Sequence, residues 1–175
     1  MADSYRVELT PEAVAVMGRL KDPTPMLAAV AKALDEENAY SVSHIQKEYL
    51  SFPKDGPAVA IGLRAVSNSY RRSLFAAPAT MEGGRLVSSI GSNVTNRGVS
   101  YPAVHEFGAT IPPHKITAKG KALRFMIGDR LVFRKSVNHP GAVLPARRPI
   151  QRGLEDRTQD YRESVSAAIV NCWEG

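Results

Sequence analysis

This chain of 175 residues has a single cysteine, Cys172. That count excludes an intramolecular disulfide and any cysteine-rich metal site. The chain also lacks a run of 18 apolar residues, about the length a membrane-crossing helix needs. Its opening, MADSYRVELTPEAV, lacks the basic-then-apolar order of a signal peptide, so synthesis in the cytosol is the expectation. Several motifs of enzyme chemistry are missing as well. There is no strand–GxGxxG–helix pattern, no GxxxxGK[ST], no GxSxG and no internal repeat. His105–Glu106 begins like the HExxH of a zinc protease, but Ala109 stands where the second histidine belongs. His44, His114 and His139 show no ligand spacing. Cys172 lies near the end of a helix, a poor place to surround a thiolate. No enzyme activity, metal or cofactor is expected.

What is present suits one ordinary domain, large enough for a core without staples. Its 43% hydrophobic content argues against global disorder. The formal charge of +6, from 23 Lys and Arg against 17 Asp and Glu, suits work near nucleic acid or an acidic partner. The basic residues are dispersed, however, with only short pairs such as Arg71–Arg72 and Arg147–Arg148. A DNA-binding module would gather them on one recognition helix.

Thr10 and Pro11 open a short helix to about Leu20, which KDPTP breaks. Thr24 as cap and Pro25 in the first turn start a second, long helix. Along it Leu27, Val30, Ala31, Leu34, Ile45 and Tyr49 recur at helical spacings. Asn38 and Ser41 interrupt that stripe, so the face is expected to be partly open or packed on a neighbour. Residues 51–69 form a connection broken by Pro53, Gly56 and Pro57. Strands follow at 73–80 and 85–93, joined by a turn at Glu82–Gly84, and Pro78 marks an edge or a bulge. Residues 93–100 read as loop. KALRFMIGDRLVFRKSV gives a hairpin with its turn at Gly128–Asp129. On it Leu123, Phe125 and Ile127 alternate along one strand, with Leu131, Phe133 and Lys135 on the other. Between the two hairpins ATIPPHKITAKGK reads as an exposed arm or extended loop, 109–121. Pro149 opens the last helix, with Ile150, Leu154, Tyr161, Val165, Ala168 and Ile169 roughly on one stripe.

The expectation is a single α+β domain over 1–175: a small antiparallel sheet packed against two long helices. Residues 1–66 are its N-terminal helical part, and 67–175 supply the sheet and C-terminal helix. Gly108 can end a short turn in the left-handed region, with Tyr101 and Phe107 anchoring that turn on the sheet. Pro140–Gly141, Pro145 and Pro149 constrain the crossing to the last helix. Arg147 and Arg148 stand just before that helix, where its dipole disfavours them unless a carboxylate or an adjoining subunit pairs with them. Glu106 and Glu155 are both candidates.

Taken in order, GGRLVSSIGSNV, YPAVHEFGATI, KALRFMI with LVFRKSV, and HPGAVLPARRPIQRGLE resemble a family of tailed-bacteriophage virion morphogenesis proteins. These are variously called tail completion, minor tail, tail terminator or neck proteins. One family pattern matches Tyr101, Pro102, Ala103, His105, Glu106, Phe107 and Gly108. A second matches Pro140, Gly141, Pro145, Ala146, Arg147, Pro149 and Ile150, with Arg148 as an additional arginine. SYRRSL, 69–74, looks like a third, with Asn68 and Ser69 in place of its threonine and glycine. The resemblance covers roughly 67–170.

It implies a structural, ring-forming subunit, a hexamer, at the head–tail junction or tail terminus of the virion, assembled in the host cytoplasm. Implied partners are the major tail tube protein and neck or connector proteins. The alternatives are a head-closure or neck connector protein, then a DNA-binding module. In this setting the 109–121 arm laps a neighbour or lines the DNA channel. Lys115, Lys119, Lys121 and Arg148 then offer interface or phosphate contacts, while His105 and Glu106 are structural or interface residues.

Overall fold

The computed structural model describes residues 4–8, 10, 11, 14, 22–51, 63, 68–96 and 98–174. The short helix expected over 10–20 and the connection over 51–69 fall mostly outside them.

A three-stranded antiparallel sheet and one long helix make the body. Strands β1 (Ser4–Glu8), β2 (Leu74–Glu82) and β3 (Arg85–Ser92) lie in the order β1-β3-β2. The β2–β3 hairpin turns at Gly83–Gly84, as the glycine pair implies. Pro78 marks both an edge and a bulge: β2 is an edge strand, and its register shifts between Ala77 and Thr80. Strand β1 pairs with β3 through Ser4–Gly91 to Glu8–Val87. It lies in a segment whose sequence reads as helical.

Helix α1 spans Thr24–Glu48, with Pro25 in its first turn. Thr24 is not its cap but its first residue, because Asp22 Oδ1 accepts the Thr24 N–H at 3.0 Å. Met26, Val30, Leu34 and Ile45 fall on the buried face at helical spacing. Alternation along β3 turns Leu86, Ser88, Ile90 and Ser92 toward that face. At the bulge in β2, Asp35 of α1 accepts the Ala79 N–H at 2.7 Å, supplying the acceptor that the broken ladder lacks.

The α1 face is not open at Asn38 and Ser41, which are fully buried. Asn38 Nδ2 donates to Ser88 Oγ, and Ser88 Oγ donates to the Ala77 carbonyl at 2.8 Å. Tyr161 closes the chain from the last helix, donating its hydroxyl to Asn38 Oδ1 at 2.5 Å. A buried amide costs little where its hydrogen-bonding groups find partners. At Asn38 the polar interruption is thus a chain of bonds between helix, sheet and C-terminal helix.

After the described Leu63 come α2 (Ser69–Ser73), leading into β2, and then a small ladder of β4 (Thr95–Asn96) with β5 (Val99–Ser100). That ladder replaces the loop expected over 93–100. Helix α3 is Tyr101–Phe107. Beyond it three successive ladders form one ribbon. Strand β6 (Ala109–Ile111) pairs with β11 (Ala142–Leu144), β7 (His114–Thr117) with β10 (Ser136–His139), and β8 (Leu123–Ile127) with β9 (Arg130–Arg134).

The single C-terminal helix expected from sequence is two, α4 (Pro149–Asp156) and α5 (Thr158–Glu174). They part at Arg157, whose N–H bonds the Leu154 carbonyl in a tightened turn. Its guanidinium reaches Glu37 at 2.5 Å and Asp160 at 3.1 Å. The architecture is α+β, with helices on antiparallel strands. The single sheet and two helices are corrected, among the described residues, to five helices, a three-stranded sheet and four two-stranded ladders.

Two apolar clusters fill the interior. One joins Ile45, Tyr49, Leu50, Leu63, Tyr70, Leu74, Ile90 and Ile150; the other joins Met26, Val30, Leu34, Leu86 and Tyr161. Gly153 of α4 marks a close approach of α4 to α1, since a Cβ there would lie 2.3 Å from Ile45 Cγ1. Gly153→Ala is therefore expected to destabilise the protein despite alanine's helix-propensity advantage of about 1 kcal/mol. Urea unfolding checks this, and an unchanged or raised midpoint contradicts it. Tyr161→Phe, which leaves Asn38 Oδ1 without that donor, is expected to cost ~1–3 kcal/mol in the same assay.

Candidate functional site

The two family-like motifs meet at the base of the ribbon. Ser100 caps α3 by accepting the Ala103 N–H at 3.4 Å, and Pro102 fits the first turn. At the other end of α3 the His105 carbonyl accepts two N–H groups from the second motif, Arg147 at 2.8 Å and Arg148 at 3.1 Å. Glu106, only 1% exposed, turns its carboxylate to the start of α4. Its Oε1 accepts the Ile150 N–H at 2.7 Å and the Tyr70 hydroxyl at 3.4 Å.

The chemistry of α4 explains this arrangement. A helix leaves its first N–H groups without internal partners, and they carry partial positive charge. Arg148, at the cap position, takes a left-handed φ of 54° and makes no side-chain cap. Pro149 has no N–H to satisfy. Glu106 therefore caps α4 from another element, and the helix end in turn stabilises a buried carboxylate. The sequence left Glu106 and Glu155 open as partners of the arginines. In the structure Glu106 takes this backbone role, while Glu155 accepts from Gln151 at 2.8 Å.

Two glycines close the ribbon's base. Gly108 has φ of 76°, and a Cβ there would lie 2.7 Å from the Leu144 carbonyl oxygen. Gly141 has φ of 88°, and its Cβ would lie 2.6 Å from the Ile111 carbonyl oxygen. Both positions combine a left-handed conformation with a close backbone approach, so only glycine fits without movement.

His105 lies between two tyrosine rings, stacked on Tyr70 at 6.2 Å and edge-on to Tyr101 at 4.5 Å. Burial, with a further contribution from the Arg147 charge, lowers its pKa to about 4, so it is neutral near pH 7. Phe107 does not anchor the turn as expected. It is exposed, because the α3 turn that points Glu106 inward carries Phe107 about 100° round to solvent.

The expected arm over 109–121 is not a loop standing apart from the following hairpin. Its strands β6 and β7 pair with β11 and β10, and the Gly128–Asp129 turn is the tip of the whole Ala109–Leu144 ribbon. On the tip, Phe125 faces Val132 while Met126 faces Leu131 and Arg124 faces Phe133. Leu131 and Phe133 consequently lie on the opposite side from Phe125.

The structure thus brings Tyr101, His105, Glu106, Gly108, Arg147, Arg148 and Pro149 together around one junction. Gly141 sits one rung along, Pro140 and Pro145 flank β11, and Lys115, Lys119 and Lys121 are exposed on the ribbon. Comparison with protein-family models, with curated proteins and with solved structures gives no match to this chain. Among the described residues no group of three or more His, Cys, Asp and Glu gathers as a metal site.

Sequence reasoning missed Tyr70, which meets both His105 and Glu106. It also missed a second anchor of α4, where Asp156 Oδ2 takes the Tyr49 hydroxyl at 2.6 Å and His44 Nε2 at 2.9 Å. Burial resists ionisation of Asp156, but these bonds outweigh it and hold its pKa below the usual value. Neither residue had a local signal, since both partnerships cross long stretches of chain.

The His105 environment fixes a pH dependence. Unfolded, the ring takes a proton near 6.5; folded, it does so only near 4. Its contribution is complete above about pH 6.5 and is lost as the pH falls toward 4, since protons then favour the unfolded chain. His105→Phe is expected to remove up to ~2 kcal/mol of that acid-induced loss, read as unfolding midpoints at pH 7 and pH 4.5. Parallel pH slopes for both proteins would contradict it. Glu106→Ala, which orphans the Ile150 N–H, is expected to cost ~1–3 kcal/mol at pH 7.

Proposed function

We propose that this protein is a structural subunit of a tailed-phage virion. It forms the ring that completes or terminates the tail at the head–tail junction. What supports the reading is the joining of two motifs, HEFG and PARRP, that carry the resemblance. They meet through the His105 carbonyl and the Glu106 carboxylate, at the point where a basic ribbon leaves the body.

An architectural role accounts for the motif residues directly. Glu106 caps a helix, Gly108 and Gly141 admit close backbone contacts, and His105 is a neutral ring packed between aromatics. A ring subunit needs heterologous faces that close by rotation, and a fixed projecting ribbon supplies one such face. Its partners in this reading are its own copies in a hexameric ring, the major tail tube protein and the neck or connector proteins. Lys115, Lys119, Lys121 and Arg148 meet those partners or genomic DNA in passage. Assembly occurs in the host cytoplasm, and the finished protein resides in the virion.

Negative-stain microscopy of particles from phage lacking the gene tests this. Filled heads beside separate tails, especially tails of uncontrolled length, are the expected result. Normal free tails with empty or leaking heads would move the protein to the capsid side, as a head-closure or neck subunit. Fully joined, infectious particles would overturn both readings.

A further inference from the structure

We propose that the Ala109–Leu144 ribbon of one subunit seats on the helical face of a second copy of this chain. Its apolar tip enters the groove between β1 and the α4–α5 helices. This rests on the ring reading for its biological sense and names the contact by which neighbouring subunits meet.

Charge is the first observation. The ribbon carries seven basic residues, Lys115, Lys119, Lys121, Arg124, Arg130, Arg134 and Lys135, and one acid, Asp129. Its net charge of +6 equals that of the whole chain, so the other residues balance, with sixteen bases against sixteen acids. All seven bases are exposed, and no salt bridge among the described residues engages them. The helical layer is opposite in sign. Residues 24–48 and 149–174 together hold nine acids and five bases, a net of −4. One molecule thus carries two surfaces of complementary charge.

The ribbon tip is the second observation. Met126, Ile127, Leu131 and Phe133 are 57%, 62%, 46% and 57% exposed on a two-stranded hairpin that meets no other sheet among the described residues. Met126, Leu131 and Phe133 share one face of it and Ile127 stands on the other. Such a hairpin is at best marginally stable alone in water, and exposed apolar side chains this close together mark a protein contact. Phosphate contacts would use the arginines but leave these four unexplained. The receiving surface is a groove of about 630 Å³. Leu34, Leu154, Tyr161, Val165 and Ile169 line it, with two carboxylates, Glu8 and Glu155, and two guanidiniums, Arg6 and Arg162. An apolar centre with charged surroundings is the usual anatomy of a specific interface. Tip and groove are different patches of the same chain, so the contact is heterologous and propagates head to tail, closing when the rotation permits.

Site-directed cross-linking tests the seat on the full chain. One variant carries Ile127→Cys with Cys172→Ser, and the other carries Ser166→Cys, in the groove, with Cys172→Ser. A short bis-maleimide is expected to join them when mixed, while each variant alone gives at most a tenth of that yield. Raising salt from ~50 mM to ~500 mM is expected to lower the yield several-fold, as is adding Arg130→Glu and Arg134→Glu to the tip variant. Equal yields from the single variants, or none at the highest soluble concentration, would overturn the proposal. Salt-sensitive binding of random-sequence duplex DNA by the ribbon arginines, without cross-linking, would also overturn it and assign the ribbon to phosphate. The microscopy reads the ring separately. Unjoined particles with no cross-link would remove this seat and leave the ring standing.

Discussion

A carboxyl group taken out of water is tolerated only where hydrogen-bond partners replace its hydration. Glu106 meets that condition at one place, the N-terminal end of α4, where Ile150 offers an N–H that no residue of its own helix can accept. Helix α4 also depends on Glu106, because its cap position holds an arginine in left-handed conformation and its first residue is proline. Each side removes the other's cost. The bond ties α3 to α4, and therefore ties both ends of the ribbon between them to a single point of the body.

The remainder of the molecule follows from that point. Gly108 and Gly141 let the first and last strands of the ribbon approach within backbone contact, so the ribbon leaves the body in a defined direction. Ile150, beside Glu106, is fully buried in the cluster with Ile45 and Ile90, which carries the fixation into α1 and β3. Farther along the C-terminal helices, Tyr161 and Arg157 reach Asn38 and Glu37, locking the start of α5 on the middle of α1. The body is cross-braced by side chains from separate elements, whereas the outer ribbon is held mainly by its own ladder.

That division matches a division of chemistry. Near the junction the Glu106 carboxyl and the His105 carbonyl are matched by backbone N–H groups, and His105 carries a neutral ring. Along the ribbon the cations and large apolar side chains face solvent. A protein whose task is to position one surface against another has reason to be organised this way. The charge distribution follows the same division, with an acidic helical layer in a net-neutral body and a basic ribbon.

Local signals in the sequence carried much of this. Helical spacing gave α1, the glycine pair gave the β2–β3 turn, and Pro78 gave the bulge. What escaped depended on partners far away in the chain. Asn38 looks like a gap in an apolar stripe until Ser88 and Tyr161 are placed around it. The prolines and glycine of 109–121 resemble loop, because the pairing of β6 and β7 is with β11 and β10 rather than with neighbours. Strand β1 has only five residues and takes its order from β3. At the candidate site the motif residues were legible, but the acceptor role of Glu106 was not, since an N–H acceptor and an arginine partner are the same residue type in a sequence. Amide hydrogen exchange of the full chain tests the junction most directly. Protection of the Arg147, Arg148 and Ile150 amides within about 1 kcal/mol of the α1 core is the expected result. Exchange at those three as fast as at the ribbon tip would show that the base of the ribbon is not fixed, and would contradict the account.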